Sequence, residues 1–156
     1  MKGTIHLYTD GAASGNPGPG GLGVVLLYGK LRKELSEGYE LTTNNRMELL
    51  AVIRGIEAIK WKNADVIVYT DSKYVSDSVN KKWLFEWESK QFKKRKNSDL
   101  WIQFLKLYRK HNIKFQWIKA HNNNPENERC DTLAVQAYSK NPLLPDEGYS
   151  NDEGLF

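Results

Sequence analysis

Asn44-Asn45-Arg46-Met47-Glu48-Leu49-Leu50-Ala51-Val52-Ile53-Arg54-Gly55-Ile56-Glu57-Ala58-Ile59-Lys60 is the stretch that decides the fold. Leu49, Val52, Ile53, Ile56 and Ile59 recur at helical spacing, so the run reads as an amphipathic helix with one buried stripe. Asn44 or Asn45 suits its N-cap. What precedes it differs in kind. Ile5–Thr9, Gly21–Tyr28 and a segment within Lys30–Thr42 read as strands with no helix between them, which predicts an antiparallel meander. The run Gly11–Gly20 between the first two is too rich in Gly and Pro for regular structure. Beyond the helix, Val66–Thr70 is a short β-branched strand, and Ser72 begins a short helix ending near Val79. A second helix covers Lys81–Ser89, and Ser98 caps another over Asp99–Lys110. Ile113–Lys119 reads as a strand containing Trp117. Asn124 and Pro125 then open the last long helix, with Pro at the first position that helices favour. This order predicts an α/β domain: a five-stranded mixed sheet, three antiparallel strands then two parallel ones, flanked by helices.

A chain of 156 residues suits one domain with a core of its own. We expect that domain over residues 1–141 and a weakly ordered acidic tail over 142–156, where Asp146, Glu147, Asp152 and Glu153 stand without a base. No stretch approaches the roughly 20 apolar residues of a membrane span. Met1-Lys2-Gly3-Thr4 runs into a strand without the pattern of a secretory leader. The single cysteine, Cys130, excludes an internal disulfide framework, suits the cytoplasm, and reads as a small buried hydrophobe. Net charge is +4, but residues 81–96 carry seven bases against Glu86 and Glu88. Such a block is a solvated helix and loop, or a surface for a polyanion.

Four acids fall where a fold places sites. Asp10 and Asp71 end apolar strand-like runs and are followed at once by Gly11 and Ser72; Glu48 and Asp131 lie near the starts of helices. Strand carboxyl ends are where ligands collect in α/β sheets. Each acid alone could cap or turn the chain. Brought together they would repel, each pair at about 5 Å costing roughly 3 kcal/mol at an effective dielectric of 20. A divalent cation such as magnesium or manganese removes that cost.

The strings around these acids resemble those of bacterial type 1 ribonucleases H, nearly end to end. They are Thr9-Asp10-Gly11 with Gly15-Asn16-Pro17-Gly18-Pro19-Gly20-Gly21, then Thr42-Thr43-Asn44-Asn45-Arg46-Met47-Glu48-Leu49, Thr70-Asp71-Ser72 and Asn127-Glu128-Arg129-Cys130-Asp131. The resemblance implies a ribonuclease H-like fold. It also implies a monomeric endonuclease that hydrolyses the RNA strand of RNA–DNA hybrids, leaving 5′-phosphate and 3′-hydroxyl ends. Asp10, Glu48, Asp71 and Asp131 would then hold two Mg²⁺ ions, with Mn²⁺ as a substitute, at the scissile phosphate. His121, in a polar loop before the last helix, would move protons or assist product release.

The same resemblance assigns Asn16, Asn44 and Asn45 to the hybrid's minor groove, where amides can read the 2′-hydroxyl. Thr43 and Asn97 would hold a DNA phosphate, and Arg46 a further one. Lys81–Lys96 corresponds to a basic protrusion that grips DNA, with Trp83, Trp87 and Phe92 among Lys82, Lys90, Lys93 and Lys94; the two tryptophans could equally anchor a core. Three departures stand out. Ala120 precedes His121 where many relatives have Gly, Asn122-Asn123-Asn124 lacks a glycine, and Ala13 stands where many have Cys. A stiffer His121 loop is expected. So is a hybrid affinity weakened by Glu86 and Glu88, which dilute the protrusion, and no processivity from an additional N-terminal binding module is expected. Related DNA transposases, resolvases and reverse-transcriptase tail domains, or a non-cutting hybrid-binding module, are the competing readings.

Overall fold

A computed structural model of the chain describes residues 3–140 and 142–149. Strands β1 (Thr4–Ala13), β2 (Gly18–Tyr28), β3 (Leu31–Thr42), β4 (Asp65–Thr70) and β5 (Asn112–Trp117) form one sheet in the order β3-β2-β1-β4-β5. β2 pairs antiparallel with both β1 and β3; β4 runs parallel to β1 and to β5. The meander and the crossover pair are those the element order predicts.

The helices are α1 (Asn44–Glu57), α2 (Lys73–Asn80), α3 (Trp83–Ser89), α4 (Ser98–Tyr108) and α5 (Pro125–Tyr138). The stripe of α1 buries Leu49, Val52, Ile53 and Ile56 against Leu7, Leu22 and Val24 of the sheet. Trp101 and Phe104 of α4 are fully buried in the same core, and Phe104 meets Phe115 of β5 at 5.8 Å, with Trp101 on its other side at 5.7 Å, both edge-on. The second face of the sheet is covered by α5, whose Cys130 and Leu133 pack on Val25. Cys130 is buried, and that burial pushes its thiol well above the ordinary range.

The glycine-rich run behaves differently from its sequence reading. β1 continues through Asp10 to Ala13 and β2 begins at Gly18, with Ala12 opposite Gly21 and Ala13 opposite Gly20. Only a short turn, closed by the Ser14 N–H donating to the Pro19 carbonyl (2.7 Å), is irregular. The glycines here serve packing: a Cβ on Gly21 would overlap the Ala134 carbonyl oxygen of α5. Asp10 therefore lies within a strand, not at its end. Two caps also differ. Thr43, not Asn44 or Asn45, caps α1, its hydroxyl accepting from the Arg46 N–H (3.3 Å). Asn97, not Ser98, precedes α4, in a left-handed conformation with no side-chain capping bond. Asn124 caps α5 as expected, and Ser72 caps α2.

The segment read as a loose tail is docked as far as it is described. Leu144 bridges to Tyr39 of β3, its N–H donating to the Gly38 carbonyl and its carbonyl accepting from the Glu40 N–H, both at 2.8 Å. Residues 150–156 lie outside the described residues. Phe104→Ala, which empties the space between α4 and β5, is expected to lower unfolding stability by about 3–5 kcal/mol. Urea denaturation checks this; the midpoint should fall with little change in slope.

Candidate active site

The site is built where α1 meets β1. A Cβ on Gly11 would overlap the main chain of Met47 and Glu48, so strand and helix touch backbone to backbone. That approach lets the Gly11 N–H donate both to Glu48 Oε1 (2.7 Å) and to Asp10 Oδ1 (3.0 Å). β4, pairing beside β1, delivers Asp71 immediately after Thr70. Ser72 takes the capping of α2, its hydroxyl accepting from the Val75 N–H at 3.2 Å, and the Trp117 indole N–H holds the Asp71 carbonyl at 3.0 Å. Asp71's carboxylate is thus left to the site. One oxygen each from Asp10, Glu48 and Asp71 lies within 4.8 Å of the others.

The electrostatics follow from this crowding. Burial, and then the charge of Asp71, push the Asp10 carboxyl up to about 7. Glu48 is driven well above the carboxylate range by burial and by the charges of Asp10 and Asp71. Asp71 is raised by burial, with Asn127 and Glu48 hydrogen bonds and the nearby His121 opposing the rise. A divalent cation would relieve the same crowding. The donor set is all carboxylate oxygen, which fits a hard divalent ion and not a soft one.

The other residues singled out from sequence fall into distinct positions. Asp131, half-buried on α5, stands outside the three-oxygen cluster, but its charge raises Asp10 and Asp71. His121 is exposed, in a loop where both it and Asn123 take left-handed backbone (φ 54° and 58°) without a glycine. Asn44 ties the β1–β2 turn to α1: its Oδ1 accepts from the Ala13 N–H (2.6 Å) and its N–H donates to Asn16 Oδ1 (3.1 Å). Asn45 is exposed beside them, and Thr43 half-buried. Trp87 packs edge-on against Trp101, with Arg95 over its ring at 4.9 Å, whereas Trp83 is exposed with Lys81 above it at 5.4 Å. Lys90, Lys93 and Lys94 are exposed.

Arg46 does not do what the sequence suggests. It is buried, and all five of its N–H groups are engaged by Asp99, Asp146 and Asn97. No donor remains for a phosphate. Sequence reasoning also missed Asn127, which is buried and whose side chain opposes the rise of the Asp71 carboxyl. Its position one helical turn before Asp131 on the same face of α5 is the signal that could have found it.

Comparison with known proteins accords with this geometry. The RNase H family profile matches residues 2–139. Ribonuclease H of Syntrophus aciditrophicus (strain SB) is 52% identical over 150 residues, covering 93% of this chain and 86% of that one. The chain belongs to the ribonuclease H family. It shares the family's fold with LC9-RNase H1, a type 1 RNase H with the type 2 active-site motif (TM-score 0.81, 29% identity, 89% of this chain and 74% of that one). LC11-RNase H1, solved in complex with an RNA/DNA hybrid, aligns at a TM-score of 0.65 and 28% identity over 86% of this chain and 96% of that one. The five-stranded mixed sheet expected from sequence is the ribonuclease H sheet, and the chain is an enzyme of this endoribonuclease family.

Because Asp10, Glu48 and Asp71 bind protons more tightly folded than unfolded, metal-free protein should lose stability as pH rises from about 4 through about 7. Asp10→Asn should stabilise the metal-free protein at pH 8 by about 2 kcal/mol and do much less at pH 4. Millimolar Mg²⁺ should raise the melting temperature of wild type at pH 8 more than that of the variant. Thermal unfolding with and without chelator measures all three.

Proposed function

We propose that the protein hydrolyses the RNA strand of RNA–DNA hybrids, leaving 5′-phosphate and 3′-hydroxyl ends. Asp10, Glu48, Asp71 and Asp131 would hold two Mg²⁺ ions, with Mn²⁺ able to substitute. The observation that carries this reading is the convergence of three carboxylate oxygens within 4.8 Å at the junction of β1, α1 and β4. Bound there, the cations would neutralise the scissile phosphate and lower the pKa of the attacking water. The chain's own residues do the rest. Gly11's N–H fixes the Glu48 and Asp10 carboxylates, and the Asn127 side chain favours the charged form of Asp71. His121, exposed beside Asp71, carries protons to and from the reacting oxygens or helps product leave.

Asn16, Asn44 and Asn45 form one polar edge next to the acids, suited to the 2′-hydroxyls and base edges of a hybrid's minor groove. Thr43 and Asn97 hold a phosphate of the DNA strand. Lys90, Lys93 and Lys94 supply charge, Trp83 an exposed ring, and Trp87 the anchor by which the protrusion is rooted. We place the enzyme in the cytoplasm as a monomer. The free Cys130 thiol suits a reducing compartment, and no helix among the described residues is long and apolar enough to cross a membrane.

Cleavage assays on matched RNA–DNA, DNA–DNA and RNA–RNA duplexes test the reading: only the hybrid should be cut, only in its RNA strand, and not in the presence of EDTA. Asp10→Asn should reduce turnover at least about a thousand-fold while remaining folded. An intact hybrid with wild type and Mg²⁺, or a fully active Asp10→Asn, overturns it. Neutralising Lys93, Lys94 and Arg95 together should raise KM and flatten its dependence on log salt, by about 0.7–0.9 for each phosphate that these side chains neutralise in wild type. An unchanged slope would place DNA binding elsewhere.

A further inference from the structure

Arg46 lies one residue past the asparagine pair and two before Glu48, at the start of α1, yet its side chain is only 3% exposed. Asp99 takes two of its N–H groups as a bidentate pair (2.9 and 2.7 Å). Asp146, a hundred residues away in sequence, takes two more through both carboxylate oxygens (2.7 and 3.0 Å). The fifth reaches Asn97 Oδ1 at 3.3 Å. Asp146 Oδ2 also accepts from the Thr42 hydroxyl at 2.7 Å. Asp146 therefore holds the chain on both sides of Thr43. Asn97 is in turn clasped from its other end: its Nδ2 donates to the Tyr74 hydroxyl (3.1 Å), which also accepts from the Trp101 indole (2.8 Å). The main chain of Gly148 crosses the ion pair so closely that a Cβ there would overlap Asp99 Oδ2.

We propose that Asp146 is a positioning residue for the substrate, acting through Arg46 to hold Asn97 and Thr43 in mutual register. The inference rests on the hybrid-cleaving reading above, in which those two residues share a DNA phosphate. They come from different segments, β3–α1 and the loop before α4, and Arg46 with its carboxylates is the polar link between them. A buried guanidinium cannot leave donors unpaired without cost, so with Asp146 neutralised Arg46 turns toward whatever acceptor remains. Asn97 then loses its fixed orientation, and a hydrogen-bonded phosphate site depends on such fixed orientation. The C-terminal segment thus belongs to the working enzyme, tied down by Leu144 on β3 and by Asp146 on α1.

The test uses the full chain. Hybrid affinity is measured by fluorescence anisotropy with Ca²⁺ in place of Mg²⁺, and KM and kcat are measured separately with Mg²⁺, all at about 20 °C. Asp146→Asn should weaken binding by about five-fold in the wild-type background but by less than about two-fold when Asn97→Ala is already present. KM should rise by a similar factor while kcat changes less than about two-fold. Gly148→Ala, which keeps every charge and displaces the segment sterically, should act like Asp146→Asn and serves if that variant does not fold. A purely structural Asp146 would lower the melting temperature and leave affinity and coupling unmoved. Wild-type affinity in both variants, or an equal loss from Asp146→Asn with and without Asn97, overturns the proposal while leaving the enzyme assignment intact. A wild-type chain that binds no hybrid removes both.

Discussion

The backbone contact between Gly11 and the first turn of α1 is the constraint on which the rest depends. Carboxylates at about 5 Å repel by roughly 3 kcal/mol per pair even at an effective dielectric of 20. Flexible supports would relax that repulsion by moving apart. Here the supports do not yield. Asp10 sits inside a strand, paired there with β2 and two residues past its pairing with β4, Glu48 in the second turn of a helix whose main chain rests on that strand, and Asp71 at the end of a parallel neighbour. A single N–H, that of Gly11, is shared by two of the three acids. Burial first, and then mutual repulsion, hold the Asp10 and Glu48 carboxyls above their ordinary range, and burial does the same for Asp71. An acidic pocket held in place in this way would need little reorganisation to take a cation.

Much of this was legible before any coordinates. The period of α1, the β-branched run of β4 and the Asn-Pro start of α5 each follow from local rules, and the sheet order follows from their sequence. The four acids were legible as a set because each lies in an unusual string. The glycine-rich run misled because glycine has two uses. Gly11 read as a loop former, but the reason for it is a helix backbone pressed onto the sheet, a tertiary fact with no local signature. Thr43 and Asn44 exchanged roles for a similar reason. Either can cap, and only the nearby Ala13 N–H and Asn16 side chain, brought by the β1–β2 turn, decide that Asn44 is occupied elsewhere. Arg46 looked like a surface base among polar residues. Its partners, Asp99 and Asp146, lie 53 and 100 positions away, and pairing over such distances leaves no pattern to read.

The protrusion shows how one spacing can carry two jobs. Trp83 and Trp87 stand on successive turns of α3, and sequence alone left both as core anchors or nucleic-acid contacts. Trp87 is held between Trp101 below and Arg95 above, while Trp83 remains at the surface under Lys81. Gln91, Phe92 and Lys94 all take positive φ, so the chain beyond α3 turns sharply and repeatedly, with Lys93, Lys94 and Lys96 on its outside. The arrangement is a rooted base with a charged tip. Such a tip would attract phosphate without reading sequence.

The Arg46 cluster invites the same kind of reading. An arginine and a carboxylate withdrawn from water, with a second carboxylate at the surface, are not an efficient way to stabilise a fold, since burying the charges offsets most of their attraction. A well-packed leucine would serve as well. What a guanidinium provides that leucine does not is direction: five donors in one plane, each fixing the position of its acceptor. In this molecule those acceptors belong to the loop before α4, to α4 itself and to the C-terminal segment, while the arginine belongs to α1. Three separate pieces of chain are thereby held to within a hydrogen-bond length of one another. An apolar contact tolerates sliding by an ångström; a planar set of charge-assisted hydrogen bonds does not. Where two side chains from different segments must meet one ligand, the second kind of contact is the one that geometry demands.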